Sequence, residues 1–186
     1  RELYESTSNI GFKSDLARYE ILYKYGGIYI DTDFECVKKI PEGLYDFNFV
    51  SSVGFDYVPI ILNGLIMSSP KNLIIKEIIN SLNLPKNIED PMSIIKSSGP
   101  TKLTNIYFKD INIINSSKNL VLPSNYCYPF PSFLINSSIN KKTFIEKETF
   151  AIHHWEMSWM KGSFFKRFIR KIKLVKKRLI TIIKNK

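Results

Sequence analysis

Two adjacent glycines, Gly26 and Gly27, separate a segment of helical periodicity from a run of aliphatic and aromatic residues. This junction constrains the fold more than any other feature of the chain. Glycine enters the left-handed backbone region without a Cβ clash, so a glycine pair is a natural end for a helix. Residues 15–25 precede it and read as a helix with Ser14 as N-cap. Ile28-Tyr29-Ile30 follows and reads as a short buried strand, which delivers Asp31-Thr32-Asp33 at its end. A helix that passes at once into a strand belongs to a layered α/β domain. In such sheets ligands bind beyond the strand ends.

At about 100° per residue, Glu20 and Lys24 mark the solvent face of the helix. Leu16, Tyr19, Leu22, Tyr23 and Tyr25 spread over the other side, and Asp15 and Arg18 fall among them. Charges on a buried face are costly unless each is matched. Two roles stay open for the pair: a structural ion pair, with Asp15 favoured by the helix N-terminus, or a pair facing a polar ligand site. Asp31 and Asp33 add two carboxylates just past the strand. Such groups bind a divalent cation directly or through water, and Mg²⁺ and Mn²⁺ favour oxygen ligands. A lone Asp-x-Asp is a weak signal that usually marks a loop. Its joint spacing with Asp15, Arg18 and the glycine pair is far more specific.

The rest of the chain alternates between the two periodicities without an internal repeat. Strands are expected at 34–37, 47–53, 120–122 and 149–153, with 63–67 as a strand edge. Helices are expected at 72–82, 92–97, 101–108 and 164–183. The Asn- and Ser-rich stretches 115–119 and 136–142 read as loops. Cys36 and Cys127 lack metal-ligand spacing and read as two ordinary thiols.

The segment Ser14-Asp15-Leu16-Ala17-Arg18-Tyr19, then Leu22-Tyr23, then Tyr25-Gly26-Gly27-Ile28-Tyr29-Ile30-Asp31-Thr32-Asp33, resembles the sugar-binding region with the DxD motif of glycosyltransferase family 32. That family includes initiating mannosyltransferases and bacterial capsular polysaccharide glycosyltransferases. Asn63-Gly64 with Ser68-Ser69-Pro70, Gly99-Pro100-Thr101, and His153-His154-Trp155 with Ser158-Trp159 are similar to its later blocks. The resemblance implies a GT-A-type nucleotide-sugar-binding α/β domain over 1–160, followed by a C-terminal amphipathic helix over 161–186. It implies a retaining transferase that moves a hexose from UDP- or GDP-hexose to a glycan or lipid-linked acceptor, in polysaccharide or surface-glycan synthesis. Asp15, Arg18, Asp31 and Asp33 would carry the chemistry, with no dedicated base assigned. Asp31 and Asp33 would hold Mn²⁺ or Mg²⁺, with His154 as a later metal contact; neighbours on a strand face opposite ways, so at most one of the two histidines reaches the metal. Asp15, Arg18, Tyr29, Asn63, Trp155, Ser158 and Trp159 would bind the donor. The logic is chemical: a nucleoside diphosphate leaves with growing negative charge, which a metal neutralises. Arg18 would add fixed positive charge, and a carboxylate would orient sugar hydroxyls.

Members of the family open with a further strand-helix region that carries part of the nucleobase site. With 13 residues ahead of Ser14, the domain is expected to be N-terminally incomplete. A catalytically incompetent fragment, acting as a nucleotide-sugar-binding or membrane-associated interaction module, is the alternative.

Charge is concentrated at one end. Of 27 basic residues, 11 lie in 161–186 with no acid among them, leaving 16 basic against 17 acidic residues elsewhere. Phe164, Phe168, Ile172, Val175, Leu179 and Ile182 recur at helical spacing through this segment. A basic amphipathic helix of this kind either packs on the domain or lies on an anionic membrane surface. Nucleic acid is disfavoured as a partner, because no recognisable binding motif accompanies the charge. No run of about 18 apolar residues is present and no secretory leader is visible, so the expected location is cytoplasmic and peripheral to a membrane, or the Golgi lumen in a eukaryote. Membrane contact through the tail predicts that deleting 163–186 abolishes co-sedimentation with anionic liposomes. Undiminished co-sedimentation would contradict it.

Overall fold

The structure is a computed structural model that describes residues 2–55, 59–109 and 118–156. The expected tail helix, the loop at 115–117 and the boundary at 160 lie outside these residues. After a short helix α1 (Glu2–Glu5), the motif helix α2 runs over Ile10–Tyr25. It therefore begins before the expected start at 15. Asn9, not Ser14, is its N-cap: the Asn9 side chain accepts the Phe12 N–H at 3.1 Å and donates to the Ile88 carbonyl at 3.1 Å. A cap that also anchors a distant loop outweighs the poor helix propensity of Gly11. At the other end Gly26 has φ 66°, and its N–H returns to the Leu22 carbonyl at 2.8 Å. A Cβ there would lie 2.7 Å from Pro70 Cδ and 2.8 Å from Ser68 O. The stop thus requires glycine for its backbone angle and for the close passage of 68–70.

The chain then enters β1 (Gly27–Ile30) and β2 (Phe34–Cys36), followed later by β3 (Phe49–Phe55), β4 (Pro59–Ser68), β5 (Asn119–Leu122) and β6 (Ala151–His153). Four strands form a mixed sheet in the order β1-β4-β3-β5. The β1–β4 and β3–β4 pairs are antiparallel, and β3–β5 is parallel. A second, two-stranded sheet pairs β2 with β6 antiparallel, with Phe34 opposite His153.

Two expectations are reversed within the main sheet. The motif strand was expected to be buried, yet β1 is an edge strand whose Ile28 and Ile30 are 40% and 44% exposed. The segment expected as a strand edge at 63–67 lies inside β4, which has a neighbour on each side. The apolar composition was read correctly, but pairing partners decide which strand is central, and these are not local.

Burial follows the pleat. On one face Phe49, Ile61 and Ile66 meet Tyr19 and Leu22 of α2, Ile74, Ile75 and Ile78 of α3 (Leu73–Asn80), and Leu103 and Ile106 of α5 (Pro100–Lys109). On the other face Val50, Leu62, Leu65 and Met67 meet Tyr128, Phe130, Phe150 and Trp155 of the C-terminal layer. The domain is thus mixed α/β, with helices on one side of the sheet and a loop-rich layer containing β2 and β6 on the other. A short helix α4 (Pro91–Ser97) is capped by Asp90 and leads directly into α5. Cys36 and Cys127 are free thiols, as expected. Among the described residues no helix is long and apolar enough to cross a membrane.

Candidate functional site

The inward charges of α2 meet the acids that follow β1. Arg18 and Asp15 are 5% and 6% exposed. One guanidinium nitrogen, Arg18 Nη2, lies 3.2 Å from Asp15 Oδ1 and 3.2 Å from Asp31 Oδ1. Nη2 also donates to the Ser14 hydroxyl at 3.0 Å, and Nη1 donates to the Asn63 carbonyl. The Tyr29 ring stacks on the guanidinium at 4.4 Å, and its hydroxyl donates to Asp31 Oδ1 at 2.7 Å. Arg18 is therefore the hub that joins the helix acid to the first acid of the DxD motif. Burial disfavours its charge, but Asp15 and Asp31 outweigh this and hold its pKa above the ordinary arginine value. Burial pushes the Asp15 carboxyl up, against opposing contributions from Arg18, Ser98 and Asn63. Burial likewise pushes the Tyr29 phenol up to about 12, so it remains a hydrogen-bond donor at neutral pH.

β4 positions the rest. Asn63 Nδ2 donates to Asp15 Oδ1 at 2.8 Å and to the Tyr19 hydroxyl at 3.1 Å. The next residue is glycine for a steric reason: a Cβ on Gly64 would lie 2.8 Å from Asp31 Oδ2 and 3.1 Å from the Tyr128 hydroxyl. The Gly64 carbonyl also accepts the Asp31 N–H at 2.8 Å. Gly64 thus makes room for the carboxylate and fixes its backbone.

The second DxD acid belongs to the C-terminal segment. His153 Nε2 lies 3.1 Å from Asp33 Oδ1, and the Glu156 N–H donates to Asp33 Oδ2 at 2.9 Å. The His154 N–H closes the loop onto the Asp33 carbonyl at 2.9 Å. This turn carries Trp155 with φ 57°, in the left-handed region that bulky side chains rarely adopt. Burial tends to raise the Asp33 pKa, but His153 and the Glu156 N–H prevail and lower it.

Of the two histidines, the structure brings His153 to the motif, not His154. The His154 side chain instead faces Glu35 at 3.0 Å. The register that sets Phe34 opposite His153 decides the matter, because adjacent residues point to opposite faces. Ligand atoms of Asp31, Asp33 and His153 all lie within 4.8 Å of one another. The two carboxylates suit Mn²⁺ or Mg²⁺ in kind, whereas the imidazole is a softer donor than Mg²⁺ favours. The charge balance fits as well, since Asp15, Asp31 and Asp33 line a cavity of about 330 Å³ together with Arg18. His153 Nδ1 is buried with no partner.

The cavity gathers Asp15, Arg18, Tyr29, Asn63 and Trp155 of the expected donor set. Trp155 has a structural role too: its indole N–H donates to the Phe130 carbonyl at 3.0 Å, and its ring lies 4.4 Å from that of His153. Ser158 and Trp159 lie outside the described residues. Sequence inspection did not single out Ser98, Tyr19 or Tyr128 as site supports. Only the close Asn63-Gly64 pair offered a cue to the β4 contribution.

The sequence that builds the helix–strand half of this site matches a known family model. Residues 1–50 match the model of the glycosyltransferase sugar-binding region containing the DXD motif. With the relative described next, this match supports a family 32-like glycosyltransferase assignment. A protein of Acanthamoeba polyphaga mimivirus, named as an uncharacterized glycosyltransferase, is 31% identical over 130 residues. The match takes in 69% of this chain and 51% of that protein, so this chain spans about half the length of its relative.

The lowered Asp33 pKa has a direct consequence. A carboxyl whose folded pKa is depressed adds stability above its unfolded value of about 3.9, and this is lost as pH falls through the folded value. Asp33→Asn removes that contribution. Urea unfolding from about pH 5 to about pH 2 is expected to show a shallower loss of stability for the variant than for the wild type. Parallel curves would contradict the assignment.

Proposed function

We propose that this chain forms the donor and metal site of a metal-dependent, retaining glycosyltransferase of the GT-A type. It would transfer a hexose from a UDP- or GDP-sugar to a glycan or lipid-linked acceptor in polysaccharide or surface-glycan synthesis. The observation that carries the proposal is the bridging of Asp15 and Asp31 by Arg18 in the cavity that also holds Asp33. The retaining outcome and the GT-A type rest on the family resemblance.

Asp31, Asp33 and His153 are the residues that would hold Mn²⁺ or Mg²⁺. Such an ion, when bound, supplies charge neutralisation for the departing diphosphate. The chain's own residues do the positioning. Arg18 and Tyr29 fix Asp31 Oδ1, which leaves Oδ2 beside the space kept open by Gly64. The Glu156 N–H holds Asp33 Oδ2, and His153 Nε2, which lies 3.1 Å from Oδ1, would turn its lone pair to the ion in place of that contact. Asp15 is the carboxylate that would accept hydroxyls of the sugar. Because the Arg18 guanidinium is already shared between two acids and the Asn63 carbonyl, its main part is to orient them. Preorganised groups of this kind cost little reorganisation during reaction.

In an assay of UDP-glucose and GDP-mannose hydrolysis with Mn²⁺, Asp33→Ala is expected to lower turnover by about 100-fold or more, the scale of several kcal/mol of lost charge stabilisation. Equal turnover by the two proteins would overturn the proposal. Metal-dependent binding of the sugar nucleotide without turnover by the wild type would favour the interaction module instead.

A further inference from the structure

Ser98 sits at the end of α4, fully buried and outside the cavity wall. Its hydroxyl donates to Asp15 Oδ2 at 2.7 Å. The alternative acceptor, the Ile94 carbonyl at 3.4 Å, is more distant and uncharged, so the hydroxyl proton points to the carboxylate. The Ser98 carbonyl accepts the Tyr19 hydroxyl at 2.9 Å, and Tyr19 in turn accepts from Asn63. Ser98 is thereby fixed on two sides.

A carboxylate offers about four acceptor positions, two on each oxygen. Arg18 and Asn63 both use Oδ1 of Asp15. Ser98 uses one position of Oδ2, and one remains. Without Ser98, both contacts would be to a single oxygen, and the carboxylate plane would be free to turn about it. We infer that Ser98 is a positioning residue that sets the Asp15 plane so that Oδ2 accepts a hydroxyl of the donor sugar. This deepens the donor-site proposal and rests on it. It also ties sugar recognition to the α4–α5 turn, where Gly99 and Pro100 line the cavity with Ile94 and Ile95.

Calorimetry with UDP-glucose and GDP-mannose, set against UDP and GDP, all with Mn²⁺, separates this role from a structural one. Ser98→Ala is expected to weaken binding of the accepted sugar nucleotide by about 5- to 10-fold, the scale of one lost charged hydrogen bond. Affinity for the bare nucleotide stays unchanged, because it carries no sugar hydroxyl. In an Asp15→Asn background, Ser98→Ala adds no further loss, since both act through one carboxylate. Ser98→Cys fills the same space with a weak donor and gives an intermediate loss, which covers the case in which the alanine variant does not fold. Equal losses for nucleotide and sugar nucleotide, or additive losses in the double variant, would overturn the inference alone. A wild-type protein that binds neither sugar nucleotide would overturn the donor site together with it.

Discussion

The site depends on burying one guanidinium between two carboxylates from different parts of the chain. Arg18 comes from the helix before the glycine stop, and Asp31 from the loop after the strand. An unpaired charge at either place would be costly: removing one partner of a buried pair destabilises by roughly 3–5 kcal/mol. The ion pairs therefore fix how α2 sits against the end of β1. A fold that satisfies Arg18 must also bring the helix acid and the first motif acid to one cavity. Structural and ligand-facing roles, which sequence left open for Asp15 and Arg18, are thus not alternatives. The pairing that makes burial tolerable is also what aims the carboxylates.

The second motif acid is held by different means. Asp33 receives the Glu156 N–H and faces His153, while its backbone carbonyl accepts the His154 N–H. Residues separated by more than a hundred positions are clasped together through the β2–β6 pair. The left-handed Trp155 is part of this clasp: buried against His153 and Tyr128, it turns the chain so that the next N–H reaches Asp33. Strain of this kind persists when its surroundings over-determine it. The proposed donor-facing and metal-facing halves of the cavity are therefore built by separate parts of the fold and meet at Asp31.

Local chemistry made the motif legible. Helical periodicity put Asp15 and Arg18 on the buried face, and both are buried. The glycine pair ended the helix where expected, because φ angles near Gly26 are a property of a few residues. What depended on distant pairing was not legible. The choice of His153 over His154 follows from the β2–β6 register. The edge position of β1 follows from a partner beyond residue 58. The early start of α2 depends on Asn9 reaching the Ile88 carbonyl. Ser98 carries no motif signal of its own, and its importance emerges only when α4 is laid beside Asp15.

The central claim is that Asp31, held by Arg18, and Asp33, held by His153 and the Glu156 N–H, meet as one cation site. Anomalous diffraction from crystals grown with Mn²⁺ and UDP measures this most directly. The account predicts a manganese peak about 2.0–2.3 Å from carboxylate oxygens of the Asp31–Asp33 pair, next to His153 and facing the diphosphate. A strong peak elsewhere on the protein, with none beside Asp31 and Asp33, would contradict it.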